Sequence, residues 1–442
     1  MSEPARERAS AARLLRQVVV NRRTTDQAFA ERAPSPLVQE MVLGSLRHFY
    51  SLRAAVDGSL REPLRQKDQD VYCLMIVGAY QLRHMRVPDH AAIFETVAAV
   101  RILGKNWARG LVNAVMRRLS REPAEPHCEH PRWLEAALTG DYGAAAADIM
   151  AADNTRAPMC LRVNLLRTTA EDYDAQLAAA GLTARKPGRP EAADTGDGPR
   201  LGHGPESRIL ETPVPVDRLP GFEDGLVSVQ DAGAQLAAPL LAGEPGSAAG
   251  RVLDACAAPG GKLFQLLERQ PGLRATALES SADRLAAMQA EAVRLGHTGV
   301  DARLADAATL DWWDGTGFDY VLVDAPCSGT GTLRRHPDIK VLREAADLTG
   351  LTDLQRRLMA NLWRVVEPGG TLLYCTCSIL TVENDDVVAQ FLAQHPDARE
   401  AGRPLTTGRP TRHGWQLLPT DPDTDGFYFA RLRKAPPAGD PT

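Results

Sequence analysis

The sequence predicts a multidomain chain with an all-α N-terminal region, a small α+β region and a C-terminal α/β region built on a mostly parallel sheet. A chain of 442 residues is longer than the domains that a single hydrophobic core usually supports, so several domains are expected. Apolar residues recur at three- and four-residue spacing near the N-terminus, whereas buried-strand patterns alternate with helical patterns from about residue 250. We predict domains at residues 1–128, 129–240 and 241–442.

The N-terminal region is predicted to form successive helices with a basic surface. Residues 5–20 and 68–84 have helical periodicity, and GLVNAVMRRLSRE continues it to about Arg121. Residues 1–128 contain 20 Lys and Arg and 13 Asp and Glu, a net charge of +7, which leaves −12 for the rest of a chain whose total is −5. This asymmetry indicates a polyanionic partner, although arginines on solvated helix faces would give the same count.

The α+β region follows a proline-rich linker, REPAEPHCEHPRW. PMCLRVNLL and SRILETPVP are typical of strands, and the segment between them predicts a helix that begins near Thr169 and ends at Gly181. KPGRPEAADTGDGPRLGHGPES is rich in Gly, Pro and Asp, which predicts a surface loop or a disordered insertion.

Five buried-strand patterns separated by helical stretches define the α/β region. They are RVLDAC, RATALES, DARLAD, FDYVLVDAP and GTLLYCTCS. Alternation of this kind predicts a doubly wound sheet with helices on both faces, and ligands of such sheets bind beyond the carboxyl ends of the strands.

A cofactor site is predicted where the first of these strands enters a glycine-rich turn, in RVLDACAAPGGKLFQLLER. Gly260 and Gly261 allow a ligand to approach the backbone closely. The turn lacks the spacing of dinucleotide-binding motifs, and Leu263 after Lys262 excludes a P-loop.

Acids at the ends of the next two strands suggest what this site binds. Glu279 ends the second strand and is placed to accept hydrogen bonds from ribose hydroxyls, and Asp306 ends the third strand, near an adenine amino group. Each acid alone is as readily a solvated strand-end cap, but together with the turn they indicate an S-adenosylmethionine pocket.

Two cysteines follow strands four and five and point to a specific chemistry. Carbon 5 of cytosine is too weak a nucleophile to take a methyl group directly, so a thiolate must first add to carbon 6. That reaction needs a cysteine, an acid and a base, and Cys377, Asp324 and Cys327 are the candidates. The chemistry alone leaves open which cysteine attacks.

These motifs resemble those of the RNA cytosine-5 methyltransferases with two active-site cysteines, the Sun family. The resemblance rests on DAPCSGTG, TCS and CAAPGGK, and it extends over RRHPDIK, DGFYFARLRK, LRVN and GLVSVQDAGAQLAAPLL. LVNAVMRRLSRE also resembles the RNA-binding helical domain of the antitermination factor NusB. The best fit is the branch that methylates bacterial 16S ribosomal RNA.

The resemblance implies a role for each site residue. Cys377 would be the nucleophile, Cys327 would assist product release, Asp324 would hold the cytosine ring, and Lys262 would lie near cofactor and base. S-adenosylmethionine would be the methyl donor and S-adenosylhomocysteine the product. The implied cofactor-binding residues are Cys256, Ala257, Ala258, Pro259, Gly260, Gly261, Lys262, Glu279, Asp306 and Asp324.

The expected partner is 16S ribosomal RNA, with two alternatives. The same chemistry on transfer RNA or another RNA is one, and a non-catalytic RNA-binding assembly factor is the other. In RRHPDIK, Arg334 and Arg335 are candidates for RNA phosphate contacts.

The remaining sequence features argue against other classes of protein. Neither a secretory signal nor a membrane span is evident, and the seven cysteines are scattered, so we expect a cytoplasmic protein. We also expect it to be a monomer. Cys375 and Cys377 are not accompanied by a second pair of cysteines or histidines at the spacing of metal ligands, so we expect no metal site. We expect Cys375 to be a buried spectator and Cys73, Cys128 and Cys160 to be inert.

Overall fold

The structure is a computed structural model that describes residues 2–31, 33–123, 127–188 and 200–436. Half of the predicted surface loop at residues 186–207, namely residues 189–199, and part of the predicted linker therefore lie outside the described residues. By contacts the chain divides into two compact units, Met1–Arg156 with Leu333–Ala345, and Ala157–Thr332 with Ala346–Thr442. The three-domain boundaries stay a prediction.

The helices are numbered along the chain. They are α1 (Glu3–Val19), α2 (Thr25–Ala30), α3 (Pro36–Arg47), α4 (Phe49–Ser59), α5 (Gln69–His84), α6 (Asp89–Ile102), α7 (Arg109–Leu119), α8 (Arg132–Tyr142), α9 (Ala146–Ala152), α10 (Ala170–Ala179), α11 (Ala237–Ala242), α12 (Gly261–Arg269), α13 (Ala282–Leu295), α14 (Ile339–Leu342), α15 (Asp347–Val365) and α16 (Asp385–Gln394).

The strands are numbered in the same way. They are β1 (Met159–Val163), β2 (Ala184–Arg185), β3 (Ser207–Leu210), β4 (Val227–Val229), β5 (Ala249–Asp254), β6 (Gly272–Glu279), β7 (Asp301–Leu304), β8 (Phe318–Asp324), β9 (Val366–Thr376), β10 (Ala398–Glu400), β11 (Arg409–Pro410), β12 (Trp415–Leu417) and β13 (Phe427–Lys434).

The regular structure of the first unit consists of helices, with no strand among its described residues, as the sequence predicts. Its core surrounds α5, of which Val71, Leu74 and Val77 are fully buried. Helices α3 and α5 approach closely at Gly44. A Cβ atom built on Gly44 would lie 1.9 Å from the Tyr80 ring. A larger residue than glycine at this crossing would therefore require the Tyr80 ring to move.

A short segment from late in the chain completes this helical unit. Leu333–Ala345, which contains α14, belongs to it although residues on both sides belong to the other unit. The buried Lys340 donates to the Arg47 carbonyl at 3.1 Å, and Arg47 donates to the Arg334 carbonyl at 3.0 Å. Val341 and Leu342 pack against the helical core. The segment is thus an integral part of that core.

The second unit contains a small antiparallel sheet with strand order β2-β3-β1-β4. Helix α10 follows β1 and begins where the sequence predicts, since the Thr169 hydroxyl accepts a hydrogen bond from the Asp172 N–H at 3.0 Å. The positive φ of Gly181 lies just beyond its end, which confirms the predicted stop. This part of the unit has the predicted α+β character.

The large sheet of the second unit has nine strands, and eight of them follow the order β11-β12-β13-β9-β8-β5-β6-β7, with β10 paired to β13. Strands β5 to β9 are parallel, and the strands beyond β9 are antiparallel. Helices α12 and α13 contribute to one core and α15 and α16 to the other, so both faces are covered. The predicted doubly wound, mostly parallel sheet is confirmed.

Candidate active site

The predicted site residues lie at one edge of the large sheet. Glu279 and Asp324 are the last residues of β6 and β8, as Asp254 is of β5, and Cys377 follows the end of β9. Asp306, predicted to end its strand, lies two residues beyond Leu304, the last residue of β7. These strands are parallel neighbours, so their carboxyl ends meet at the same edge. The sheet therefore brings together groups far apart in the sequence.

The two motif cysteines are in direct contact. The Sγ atoms of Cys327 and Cys377 lie 3.4 Å apart, and both side chains are partly buried. The Gly331 N–H donates to the Cys377 carbonyl at 2.9 Å, which ties the loop after β8 to the residue after β9. The two sulfur atoms can therefore share a proton or act on one bound molecule.

The contact shifts the two thiols in opposite directions. The hydrogen bond from Cys327 lowers the pKa of Cys377 below its ordinary value, against the opposing effect of burial. The same hydrogen bond, together with burial, raises the pKa of Cys327 well above that of a free cysteine. Cys377 is thus favoured as a thiolate and Cys327 as its thiol donor.

A lysine–carboxylate pair lies at the same edge. Lys262, in the first turn of α12, donates from Nζ to Oδ2 of Asp324 at 2.5 Å. Burial alone would lower the lysine pKa, but the Asp324 carboxylate outweighs it and the pKa lies above its ordinary value. The Lys262 ammonium therefore stays charged beside the cysteines.

A cleft opens beside these groups at the ends of β5 to β8. Glu279 and Asp306 line it with Cys256, and Pro326 and Leu358 supply an apolar surface. Glu279 is 3% exposed and its Oε1 accepts from the Ser281 N–H at 2.9 Å. Two carboxylates beside an apolar surface suit a ligand that combines hydroxyl and amino donors with a flat ring.

The glycine-rich turn forms another part of this edge. Gly260 has φ of +102°, and a Cβ there would lie 2.1 Å from the Phe264 ring, so only glycine fits. The Ala258 carbonyl accepts from Arg284, whose other guanidinium nitrogen lies 3.4 Å from Glu279. Arg284 thereby joins the turn to the end of β6.

The comparisons with known proteins agree with this geometry. A family model described as 16S rRNA methyltransferase RsmB/F matches residues 241–433. Models of an RsmF/B-like ferredoxin-like domain and of the NusB family match residues 130–193 and 5–121.

Full-length relatives are also similar. "Ribosomal RNA small subunit methyltransferase B" of Pseudomonas putida is 42% identical over 90% of both chains. The protein of the same name from Vibrio cholerae is 39% identical over 97% of both chains. The chain belongs to the ribosomal RNA small subunit methyltransferase B family.

Solved structures resemble this family member in fold. The crystal structure of PH0851 has a TM-score of 0.78 at 20% identity and covers 98% of this chain and 99% of its own. A methyltransferase homolog from Pyrococcus horikoshii has a TM-score of 0.57 at 26% identity, covering 69% of this chain and 95% of its own. PH0851 therefore shares the fold of this chain over nearly its whole length.

The sequence-predicted residues occupy different parts of the site in this family member. Cys256, Glu279 and Asp306 line the cleft. Lys262, Asp324 and the two motif cysteines form the group beside it, and Ala257, Ala258, Pro259, Gly260 and Gly261 form the turn that leads into α12. The individual roles of these residues stay predictions.

The other cysteines differ from Cys377. Burial raises the pKa of both Cys256 and Cys375, and it raises that of Cys73 to about 12. Cys375 is fully buried and lies in register with Asp324 on β8, as expected for a spectator. These thiols are unfavourable nucleophiles.

A buried polar cluster behind the two cysteines was not predicted from the sequence. Ser328 and Ser378, which directly follow Cys327 and Cys377, both bind the carboxylate of Glu383. The signal for them was present in the repeated Cys-Ser dipeptide of the two motifs. A serine after each of the two cysteines suggests that both loops need a hydroxyl donor at that position.

Neither a metal-binding cluster nor a membrane-spanning helix is found in the part of the chain that the structure describes. Within the residues that the structure describes, His, Cys, Asp and Glu side chains form no group of three or more suited to a metal ion. Over the same ranges, none of the helices combines the length and the apolar character needed to cross a bilayer.

Proposed function

We propose that the protein transfers a methyl group from S-adenosylmethionine to carbon 5 of a cytosine in 16S ribosomal RNA, with Cys377 as the attacking thiolate. The observation that carries the proposal is the 3.4 Å contact between Cys327 and Cys377 at the edge of the sheet. A paired thiol and thiolate beside a cofactor cleft suit a reaction that forms and then breaks a carbon–sulfur bond.

Cys377 would act first. Its sulfur adds to carbon 6 of the cytosine, which makes carbon 5 nucleophilic enough to accept a methyl group. The lowered pKa of Cys377, caused by the hydrogen bond from Cys327, increases the thiolate fraction available for this step. After methyl transfer, a base takes the proton from carbon 5, and the electron pair of that C–H bond expels Cys377 from carbon 6 as a thiolate; Cys327, once deprotonated, would be that base and so assist the elimination.

Asp324 and Lys262 would orient the base. The Asp324 carboxylate can accept hydrogen bonds from the amino group of the cytosine. The side chain of Asp324 is 33% exposed, so one face of the carboxylate remains accessible despite its contact with Lys262. The nearby ammonium of Lys262 would stabilise negative charge that develops on the ring.

The cleft at the ends of β5 to β8 would hold the methyl donor. Glu279 and Asp306 would accept hydrogen bonds from the ribose and the adenine, and Leu358 and Pro326 would contact the ring. When bound there, S-adenosylmethionine supplies a methyl group already activated by its sulfonium. The turn at Gly260 would let the ligand approach the backbone.

Methylation of defined RNAs by the purified full-length protein tests the proposal. We expect labelled methyl transfer to 16S ribosomal RNA, as naked RNA or as assembled small subunit, and a new 5-methylcytosine at one position detected by bisulfite sequencing. Methylation of transfer RNA alone would overturn the choice of substrate. Failure to transfer a methyl group to any RNA would favour a non-catalytic assembly factor.

A further inference from the structure

The segments that follow the two cysteines converge on one buried carboxylate. Oε2 of Glu383 accepts hydrogen bonds from the Ser328 hydroxyl at 2.5 Å and from the Ser378 hydroxyl at 2.6 Å. Its Oε1 accepts from the Ser328 N–H at 2.8 Å. Glu383 is fully buried, so these bonds replace the solvation of the carboxylate.

A glutamine from helix α15 extends this connection toward the strand end. Gln355 donates from Nε2 to the Pro326 carbonyl at 2.9 Å and to Oε1 of Glu383 at 3.1 Å. Pro326 directly precedes Cys327, so hydrogen bonds reach the residues on both sides of that cysteine. The position of the Cys327 loop therefore depends on Glu383 and Gln355 together.

The hydroxyl groups also bond to one another across the two loops. The Oγ atoms of Ser328 and Ser378 lie 3.3 Å apart, and the Thr330 hydroxyl lies 3.1 Å from each. Hydrogen bonds to a buried carboxylate are stronger than bonds between neutral groups. Loss of Glu383 would leave this hydroxyl cluster without its main acceptor and would allow the loops to separate.

We propose that Glu383 is a positioning residue that holds the loops of Cys327 and Cys377 together, so that the two sulfur atoms stay within hydrogen-bonding distance. Its importance for catalysis rests on the proposed function, in which both cysteines act on one cytosine. Glu383 acts through the serines that follow the two cysteines, because it accepts hydrogen bonds from both of their hydroxyl groups.

The charges around Cys377 make the thiol a reporter of this geometry. The bond from Cys327 lowers the pKa of Cys377, burial and the charges of Asp324 and Glu383 raise it, and Lys262 lowers it. Separation of the loops would remove the largest lowering effect. Neutralisation of Glu383 without separation would remove only a small raising effect, so the two changes shift the pKa in opposite directions.

Alkylation of Cys377 by iodoacetamide as a function of pH tests the proposal, with the modified peptide quantified by mass spectrometry. In Glu383→Ala we expect the pH at which Cys377 alkylation reaches half its maximum, the midpoint, to rise by about one unit, because the hydrogen bond from Cys327 is lost. In Glu383→Gln, which keeps the side-chain shape, we expect the midpoint to stay or to move slightly lower. A folded Glu383→Ala protein with the wild-type midpoint would overturn the proposal.

Glu206→Gln is the matched control. Glu206 is also a buried carboxylate, 1% exposed, and it accepts from Gln265 at 3.0 Å and from Arg269 at 2.8 Å. We expect this variant to lose stability without a change in the Cys377 midpoint. An equal shift in Glu206→Gln would mean that general destabilisation moves the midpoint, and the proposal would fail.

Two further measurements make the result decisive. If Glu383→Ala does not fold, the Ser328→Ala/Ser378→Ala protein replaces it and is expected to shift the midpoint in the same direction; no shift in that protein would overturn the proposal. With RNA substrate, Glu383→Ala should lower kcat about tenfold or more and change KM less than about twofold. Alkylation needs neither RNA nor methyl donor, so failure of the methylation proposal would leave the alkylation result standing.

Discussion

Lys262 and Asp324 form an ion pair at the edge of the sheet, with 2.5 Å between Nζ and Oδ2. The two residues come from different βα units and are brought together because β5 and β8 are neighbours. If the pair works as one group on the cytosine, its members cannot contribute independently to the rate.

We therefore expect Asp324→Asn and Lys262→Met each to lower kcat by about 10²-fold, and the double variant to lower it little further. Single-turnover methylation of 16S ribosomal RNA measures all three proteins, and circular dichroism checks their folding. Multiplicative losses in the double variant would show that the two side chains act separately.

The two cysteines should give opposite phenotypes when removed. We expect Cys377→Ala to lower turnover by about 10⁴-fold or more with the fold retained, because no thiolate remains to add to carbon 6. We expect Cys327→Ala to accumulate a covalent protein–RNA adduct, visible as a shifted band on a denaturing gel, because elimination is slowed. An adduct in Cys377→Ala instead would reverse the two roles.

The pH dependence of Cys377 should depend on its neighbour. Because the Cys327 hydrogen bond lowers the pKa of Cys377, the thiolate of the wild-type protein persists to lower pH than that of a free cysteine. We expect Cys327→Ala to move the midpoint of Cys377 alkylation to higher pH, whereas Cys73→Ala, in the helical unit, leaves it unchanged. A midpoint that moves lower in Cys327→Ala would contradict the assignment of donor and acceptor.

Glu279 should contribute to affinity for the methyl donor. We expect Glu279→Ala to raise the Kd for S-adenosylmethionine about 10- to 100-fold, the usual effect of losing hydrogen bonds to a charged group. Isothermal titration calorimetry measures the change. Asp301→Ala is the control, because Asp301 is the first residue of β7 and lies at the amino end of that strand, away from the cleft. An equal loss of affinity in this variant would argue against a specific role for Glu279.

Gly260 should not tolerate a side chain. Its φ of +102° and a Cβ position 2.1 Å from Phe264 predict that Gly260→Ala lowers the free energy of unfolding by about 3 kcal/mol. Gly104→Ala separates the two causes, because Gly104 has φ of +74° and open space around it, so about 1 kcal/mol is expected. Urea unfolding measures the free energy of unfolding of both variants. Equal losses of stability would show that the contact with Phe264 adds nothing to the backbone strain.

The sequence was informative where structure and chemistry are local. Strand periodicity placed Glu279 at the end of its strand and Asp306 within two residues of the end of the next, because a buried strand and the polar residue that follows it are adjacent in the chain. The cysteines of the two motifs could be assigned to the same edge for the same reason. Cys375 was correctly expected to be buried.

Contacts between distant segments were not predictable in this way. Glu383 meets Ser328 across 55 residues, and nothing in the periodicity around Glu383 marks it as a buried acceptor. The sequence suggests Arg334 as a contact for RNA phosphates. In the structure Arg334 is only 7% exposed and its carbonyl accepts a hydrogen bond from Arg47, and this burial disfavours contact with RNA. Burial of a charged residue depends on its tertiary surroundings, which a single sequence does not reveal.

The insertion of Leu333–Ala345 into the helical unit has a consequence for the order in which the protein folds. The earlier helices of that unit leave the ribosome long before α14, yet Val341 and Leu342 pack against their core and Lys340 bonds to Arg47. Their packing therefore cannot be finished until synthesis has passed residue 345. An N-terminal fragment ending before the methyltransferase part would expose the apolar surface that this segment covers, and a stable isolated helical domain would require the segment to be supplied as a grafted peptide.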